Sequence, residues 1–285
     1  MLVVRVVAGL VIAYAALAAL AWLFQDRLAF PAPRAPLPNV SRVGADRVEP
    51  LRLLMKDGTP LAGWFLRSSG ARVPAGSRSG LLWFYGNGEN IAAIWPVLKE
   101  FQPPGVDLLV VDYPGYGASG GRATEERLNE AADLAYDAMA ARVDPSRIFV
   151  YGRSLGSAVA THIAATHAVR GLILESPFTN ARDMGRRHYA FLPPFLLRLR
   201  LDNLMQISRT HCPVLVFHGT ADRLVPIEMG RAVANAAPGP VEFVAIAGSG
   251  HNETYEIGGQ AYREKMWEFI ENTGKGEEGR GMGTP

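Results

Sequence analysis

Short runs that are mostly apolar throughout, rather than at alternate positions, fill the middle of this sequence and most restrict how it can fold. They occupy residues 81–85, 107–112, 147–151, 171–175, 213–218 and 241–246. A strand buried on both faces reads this way, because helices cover each side of a parallel sheet. Stretches with helical spacing separate the runs, for example residues 125–141. Two earlier runs, 51–55 and 61–66, flank Lys56-Asp57-Gly58-Thr59, a hairpin signal. An antiparallel opening followed by strand–helix units predicts an α/β fold with a mostly parallel, eight-stranded sheet and helices on both faces. Residues 45–271 are expected to carry it.

The two ends read differently. Between Val6 and Phe24 every residue is apolar or Gly, Ala or Tyr, and only Arg5 carries a charge before it. At ~1.5 Å per residue that run approaches the ~30 Å hydrocarbon thickness of a bilayer. Residues 1–24 are therefore expected to be a single-pass membrane anchor. Ala16-Leu17-Ala18 resembles a signal-peptide cleavage site. The apolar run nevertheless continues through Trp22, Leu23 and Phe24, beyond the ~7–15 residues of a signal core. Arg5 on one flank is balanced by Arg27, Arg34, Arg42 and Arg47 on the other, so the side of the membrane stays open. Pro31, Pro33, Pro36 and Pro38 exclude a helix, and residues 25–44 read as a stiff proline-rich linker. Glycines among charges make residues 272–285 an expected disordered tail.

Composition narrows the function classes. Hydrophobic residues are 48% of the 285, enough for one sizeable core. A net charge of +2 without a basic stripe argues against a nucleic-acid partner. The single cysteine, Cys212, permits neither an intrachain disulfide nor a cysteine-rich zinc site. No metal or cofactor is expected.

Chemistry enters at residues 147–160, where an apolar strand runs into Gly152-Arg153-Ser154-Leu155-Gly156 and then an Ala-rich helix. In a sharp strand-to-helix turn, side chains at Gly152 or Gly156 would clash with neighbouring backbone, and the turn lifts Ser154 above the sheet edge. A serine hydroxyl needs a base to take its proton and an acid to hold that base in one tautomer. Residues 213–222 form a strand and turn ending in Asp222, and residues 241–253 a strand running into Gly250-His251. Ser154, Asp222 and His251 thus fall in the required order, each on a loop after a strand. Glu175, at a strand end, is the runner-up acid. His218 is read as bonding the loop that carries the acid, Asp112 as pinning a turn, and His162, His167, His188 and His211 as structural. For the oxyanion, the candidate donors are the backbone amides of Leu155 and of Asn87, in the Gly-rich turn Tyr85-Gly86-Asn87-Gly88.

Several further segments carry a family likeness: residues 24–31, Asp112-Tyr113-Pro114-Gly115-Tyr116-Gly117, Glu175-Ser176-Pro177-Phe178 and His218-Gly219-Thr220-Ala221-Asp222. With the nucleophile and histidine motifs, they make the sequence resemble the α/β-hydrolase superfamily. More narrowly it resembles the membrane-anchored subfamily of lysophospholipases and protein depalmitoylases. That resemblance implies a short cap over the site, at about residues 178–211, where five arginines lie among Tyr189, Phe191, Phe195 and leucines. Relatives with Cys or Asp as nucleophile act on other substrates, and Ser154 argues against both. The expected function is hydrolysis of carboxylic-ester or thioester bonds in small-molecule or lipid acyl substrates, at a membrane. A serine aminopeptidase and a non-catalytic binding protein of the same fold remain as alternatives. One scaffold hosts many chemistries, so the acyl chain and head group stay open.

Overall fold

The computed structural model describes residues 1–39, 47–68 and 78–275. The chain opens with α1 (Leu2–Ala29), the hairpin β1 (Val48–Leu54) and β2 (Pro60–Leu66), and β3 (Ser79–Phe84). Then come α2 (Ile91–Phe101), β4 (Val106–Val111), α3 (Glu125–Ala140), β5 (Ile148–Arg153), α4 (Leu155–Thr166) and β6 (Gly171–Glu175). Two short helices, α5 (Ala181–His188) and α6 (Asn203–Ile207), precede β7 (Val214–Gly219), α7 (Ile227–Ala236), β8 (Val241–Ile246) and α8 (Thr254–Lys275). Side-chain caps start many of the helices: Asn90 accepts from Ala93 N, Thr124 from Arg127 N, and Asn180 from Asp183 N.

The eight strands form one sheet in the order β1-β2-β4-β3-β5-β6-β7-β8. Among the described residues β2 alone runs against the others, pairing antiparallel with both β1 and β4. From β3 the chain first steps outward to β4, then crosses to the other side of β3 with β5. The direction of winding therefore reverses at β3, and a crevice opens beyond the C-terminal ends of β3 and β5, where open α/β sheets bind ligands. Every residue of β4, β5, β6 and β7 is buried, as unbroken apolar runs demand. β8 departs from that reading. Its apolar run lies at the sheet edge, with Val241 and Glu242 exposed.

Several boundaries differ from those expected from sequence. The first helix does not stop at residue 24 but runs to Ala29, and Gln25 and the following Phe30 are buried against the domain. The stretch after it is docked rather than a free spacer: Gly117 N donates to Pro33 O (2.9 Å) and Ala35 N to Gly117 O (3.2 Å). Residues 40–44 of the expected linker lie outside the described residues. So do residues 276–285 of the expected disordered tail, whereas 272–275 complete α8. The most apolar 18-residue window of α1 has a mean hydropathy of 2.3, and none of it is buried against the domain.

A close approach between α4 and the end of β3 sets the geometry at the crevice. A Cβ on Gly156 would stand 2.2 Å from the Phe84 carbonyl oxygen, and one on Gly152 would stand 2.3 Å from the Gly156 carbonyl oxygen. Both obstacles are backbone and cannot step aside. Gly156→Ala is expected to lower unfolding free energy by about 3 kcal/mol in urea denaturation. Gly185→Ala is the control. Its Cβ would meet only Leu197 Cδ2 at 3.4 Å, so the change should be neutral or stabilising by up to about 1 kcal/mol.

Candidate active site

Ser154 stands between β5 and α4 with φ 50° and ψ −115°, a left-sided conformation that a residue with a Cβ adopts only when its surroundings impose it. The imposing contacts are the two glycine approaches and the bond from Ser154 N to Glu175 O (2.9 Å). His251 Nε2 lies 2.9 Å from Ser154 Oγ, and His251 Nδ1 lies 2.7 Å from Asp222 Oδ2. With Nδ1–H donating to the carboxylate, Nε2 is left to accept the serine proton. The three residues expected from the order of motifs are thus brought together from the loops after β5, β7 and β8.

The second oxygen of Asp222 accepts the amides of Leu224 (3.0 Å) and Val225 (2.8 Å). Burial pushes this carboxyl up, but hydrogen bonds from His218 and His251 outweigh it and hold Asp222 well below the usual carboxylate range. A depressed carboxylate stabilises the fold above its unfolded value of ~4 and loses that contribution only as pH falls through its folded value. Asp222 is therefore held in the ionised form that can accept the His251 Nδ1 proton. His218 bonds the acid loop as expected, with Nε2 2.8 Å from the Val225 carbonyl.

The other candidates fall elsewhere. Asp112 Oδ1 accepts Ile91 N (2.9 Å) and Oδ2 accepts Ala118 N (2.9 Å), so it does pin its turn. His162 and His167 share Asp133 at 3.0 Å each, and His188 Nε2 meets the Leu224 carbonyl (2.9 Å). Asn87 has its side chain clamped: Tyr116 OH donates to its Oδ1 (2.6 Å), and its Nδ2 donates to the Ala29 carbonyl (2.7 Å). Among the described residues, the backbone amides of Asn87 and Leu155 have no acceptor. Leu155 N heads α4, where the first N–H groups lack helical partners and the helix presents its positive end.

Motif reasoning missed Arg153. Its guanidinium is buried and donates from Nε to Glu175 Oε1 (3.0 Å) and from Nη1 to Glu89 Oε1 (2.7 Å). Its Nη2 donates to the His251 carbonyl (2.9 Å) and to Asn252 Oδ1 (3.0 Å). One side chain therefore joins the serine turn to the Gly-rich turn and to the histidine loop. Burial opposes its charge, but Glu175 leads the carboxylates that more than restore it. Glu175, the runner-up acid, is fully buried and bonded by Tyr151, Thr254 and Tyr262 as well as Arg153. The available signal was cross-strand: Arg153 at the end of β5 is in register with Glu175 at the end of β6. Arg153→Ala strands a buried carboxylate, so urea denaturation should show a loss of about 3–5 kcal/mol. Arg153→Met with Glu175→Gln should recover part of it.

Comparison with known proteins agrees with this fold. Residues 77–206 match the serine aminopeptidase S33 family. Over 261 residues the chain is 33% identical to an uncharacterised protein of Mycobacterium tuberculosis, covering 88% of this chain and 89% of that protein. It is 32% identical over 165 residues to alpha/beta hydrolase domain-containing protein 17B of Homo sapiens, 56% of this chain and 54% of that protein. The Pyrococcus furiosus esterase Pf2001 shares the fold at a TM-score of 0.66 and 20% identity, over 85% of this chain and 98% of that one. The order of the sheet, the sharp turn at Ser154 and these relatives together make the chain a hydrolase that belongs to the α/β-hydrolase superfamily.

Proposed function

We propose that the protein is a membrane-anchored serine hydrolase that cleaves carboxylic-ester or thioester bonds of acyl substrates through an acyl-enzyme. The observation that carries this reading is the relay Ser154–His251–Asp222, bonded at 2.9 and 2.7 Å before any substrate arrives. Ser154 Oγ attacks the substrate carbonyl carbon while His251 Nε2 takes its proton. Negative charge moves to the carbonyl oxygen, where the free amides of Leu155 and Asn87 stabilise it. As the tetrahedral intermediate collapses, His251 returns the proton to the leaving alcohol or thiol. Water then gives up a proton to His251, attacks the acyl-enzyme and releases a carboxylic acid, and Ser154 regains its hydrogen. Asp222 keeps the imidazole in one tautomer and stabilises its charged form throughout.

Anchoring rests on α1, whose 28 residues exceed what a bilayer needs and whose most apolar 18-residue window is not buried against the domain. An anchor at this site favours substrates that reside in or at the membrane. The esterase among the structural relatives supports ester chemistry; the serine aminopeptidase family match keeps peptide hydrolysis as the second reading.

A fluorophosphonate probe should label the wild-type protein and leave Ser154→Ala unlabelled. Equal labelling of both would assign the nucleophile to another serine. Asp222→Asn should lower kcat towards a p-nitrophenyl ester by about 10⁴-fold, because it releases the wrong tautomer. For the anchor, an N-terminally tagged chain should resist alkaline carbonate extraction and keep its tag; loss of the tag would mean the helix is a cleaved signal.

A further inference from the structure

The base of α1 and the cap enclose a cleft of about 820 Å³, counting its open mouth. Trp22, Leu28 and Ala29 wall it on one side, Tyr189, Leu196 and Leu199 on the other. Among the described residues its only charged lining residues are Arg182 and Arg186, both exposed. None of Ser154, Asp222 and His251 lines it.

Three observations say what the cleft holds. First, its far end reaches the apolar part of α1. Tyr14 OH donates to the Phe191 carbonyl (2.9 Å), which ties the cap's tip to a point fifteen residues, or about 22 Å, up the helix from Ala29. Phe191 itself is 59% exposed, and Phe195, four residues on, is 81% exposed. Second, the join of helix and cap has the mixed character of a membrane interface. Arg198 stacks on Trp22 (4.9 Å), its amide donates to Gln25 Oε1 (2.7 Å), and its side chain approaches Asp26 (3.8 Å). The exposed Arg182 and Arg186 add charge that suits anionic head groups. Third, the near end is tied to the turn of the proposed oxyanion donor: Ala29 lines the cleft, and its carbonyl accepts from Asn87 Nδ2 (2.7 Å).

We propose that this cleft is the acyl-chain site of the enzyme, taking the hydrocarbon tail of a membrane lipid substrate from the bilayer between α1 and the cap. The inference rests on the acyl-hydrolase reading above and adds to it where the tail lies and which way it enters. A tail that slides from bilayer to cleft stays in apolar surroundings, so a long chain need not cross water to reach Ser154. The anchor would then form one wall of the substrate site as well as a tether.

The test fills the cleft and reads chain length. Gly185 lines it, and a Cβ there meets only Leu197 at 3.4 Å, so Gly185→Leu puts its branches into the free space. With full-length protein in lipid nanodiscs, the kcat/KM ratio for p-nitrophenyl dodecanoate over p-nitrophenyl acetate should fall at least tenfold in Gly185→Leu. A second readout needs no turnover. A C16 fatty acid with a terminal diazirine, photolysed with Ser154→Ala protein in nanodiscs, should crosslink within residues 182–199, at least fivefold less when Gly185→Leu is added. An unchanged ratio overturns the substrate role, and if crosslinking still depends on Gly185 the cleft is a structural lipid site instead. Crosslinks indifferent to Gly185→Leu overturn the cleft as a lipid site. Failure of the fluorophosphonate and ester assays in wild type would remove the hydrolase reading, and crosslinking would still decide on the cleft.

Discussion

A guanidinium buried beneath the active-site loops, bonded to a carboxylate with no solvent contact, holds the functional end of this molecule together. Arg153 and Glu175 close the adjacent ends of β5 and β6, and everything above them hangs from that pair. Glu89 brings in the turn after β3, and the His251 carbonyl and Asn252 bring in the loop after β8. Thr254, Tyr151 and Tyr262 satisfy the remaining acceptor capacity of Glu175. Buried pairs of this kind add little net stability, since desolvation offsets most of the attraction. Their effect is directional. Five donors in a rigid fork fix where each partner loop sits, which an apolar cluster of equal volume would not do.

Directionality matters because the proposed chemistry depends on separations between loops far apart in the chain. Ser154 and His251 are 97 residues apart, and Asp222 and His251 are 29 apart. Each loop alone has freedom that would spread those distances. The sheet supplies the coarse alignment, since parallel strands end on one edge. Steric exclusion at Gly152 and Gly156 then aims the serine, and the Arg153 fork sets the histidine loop against it.

Much of this was legible in the sequence, for definite reasons. Strands buried on both faces announce themselves as unbroken apolar runs, so β4 to β7 could be read directly. A turn that only glycine permits marks Ser154 as the candidate nucleophile. The proposed acid and base were picked out by chain order and by the strands that precede them, and the structure brings both to Ser154. Legibility failed where the deciding neighbour was remote. The run at 241–246 looks like its predecessors, but among the described residues nothing pairs beyond β8, and Val241 and Glu242 are exposed. Arg153 lies in the turn motif with nothing local to give it a role, and only its register with Glu175 does so. The prolines after α1 signal only that no helix forms; the bonds of Pro33 and Ala35 with Gly117 turn a presumed spacer into part of the domain.

By itself, then, the sequence determined the class of fold, the strand–turn–helix unit that presents Ser154, the identity of the acid and base candidates, and an N-terminal helix apolar enough for a bilayer. These follow from periodicity, glycine sterics and side-chain chemistry, all of which act over a few residues. Tertiary structure alone decided that a buried arginine couples three loops, that Asn87 grips the end of α1, and that the helix and cap enclose a cleft between them. Those outcomes depend on which residues meet across strands and across 22 to 177 positions of chain. Local sequence carries no record of such meetings, because burial and pairing belong to the packed assembly rather than to any one segment of it.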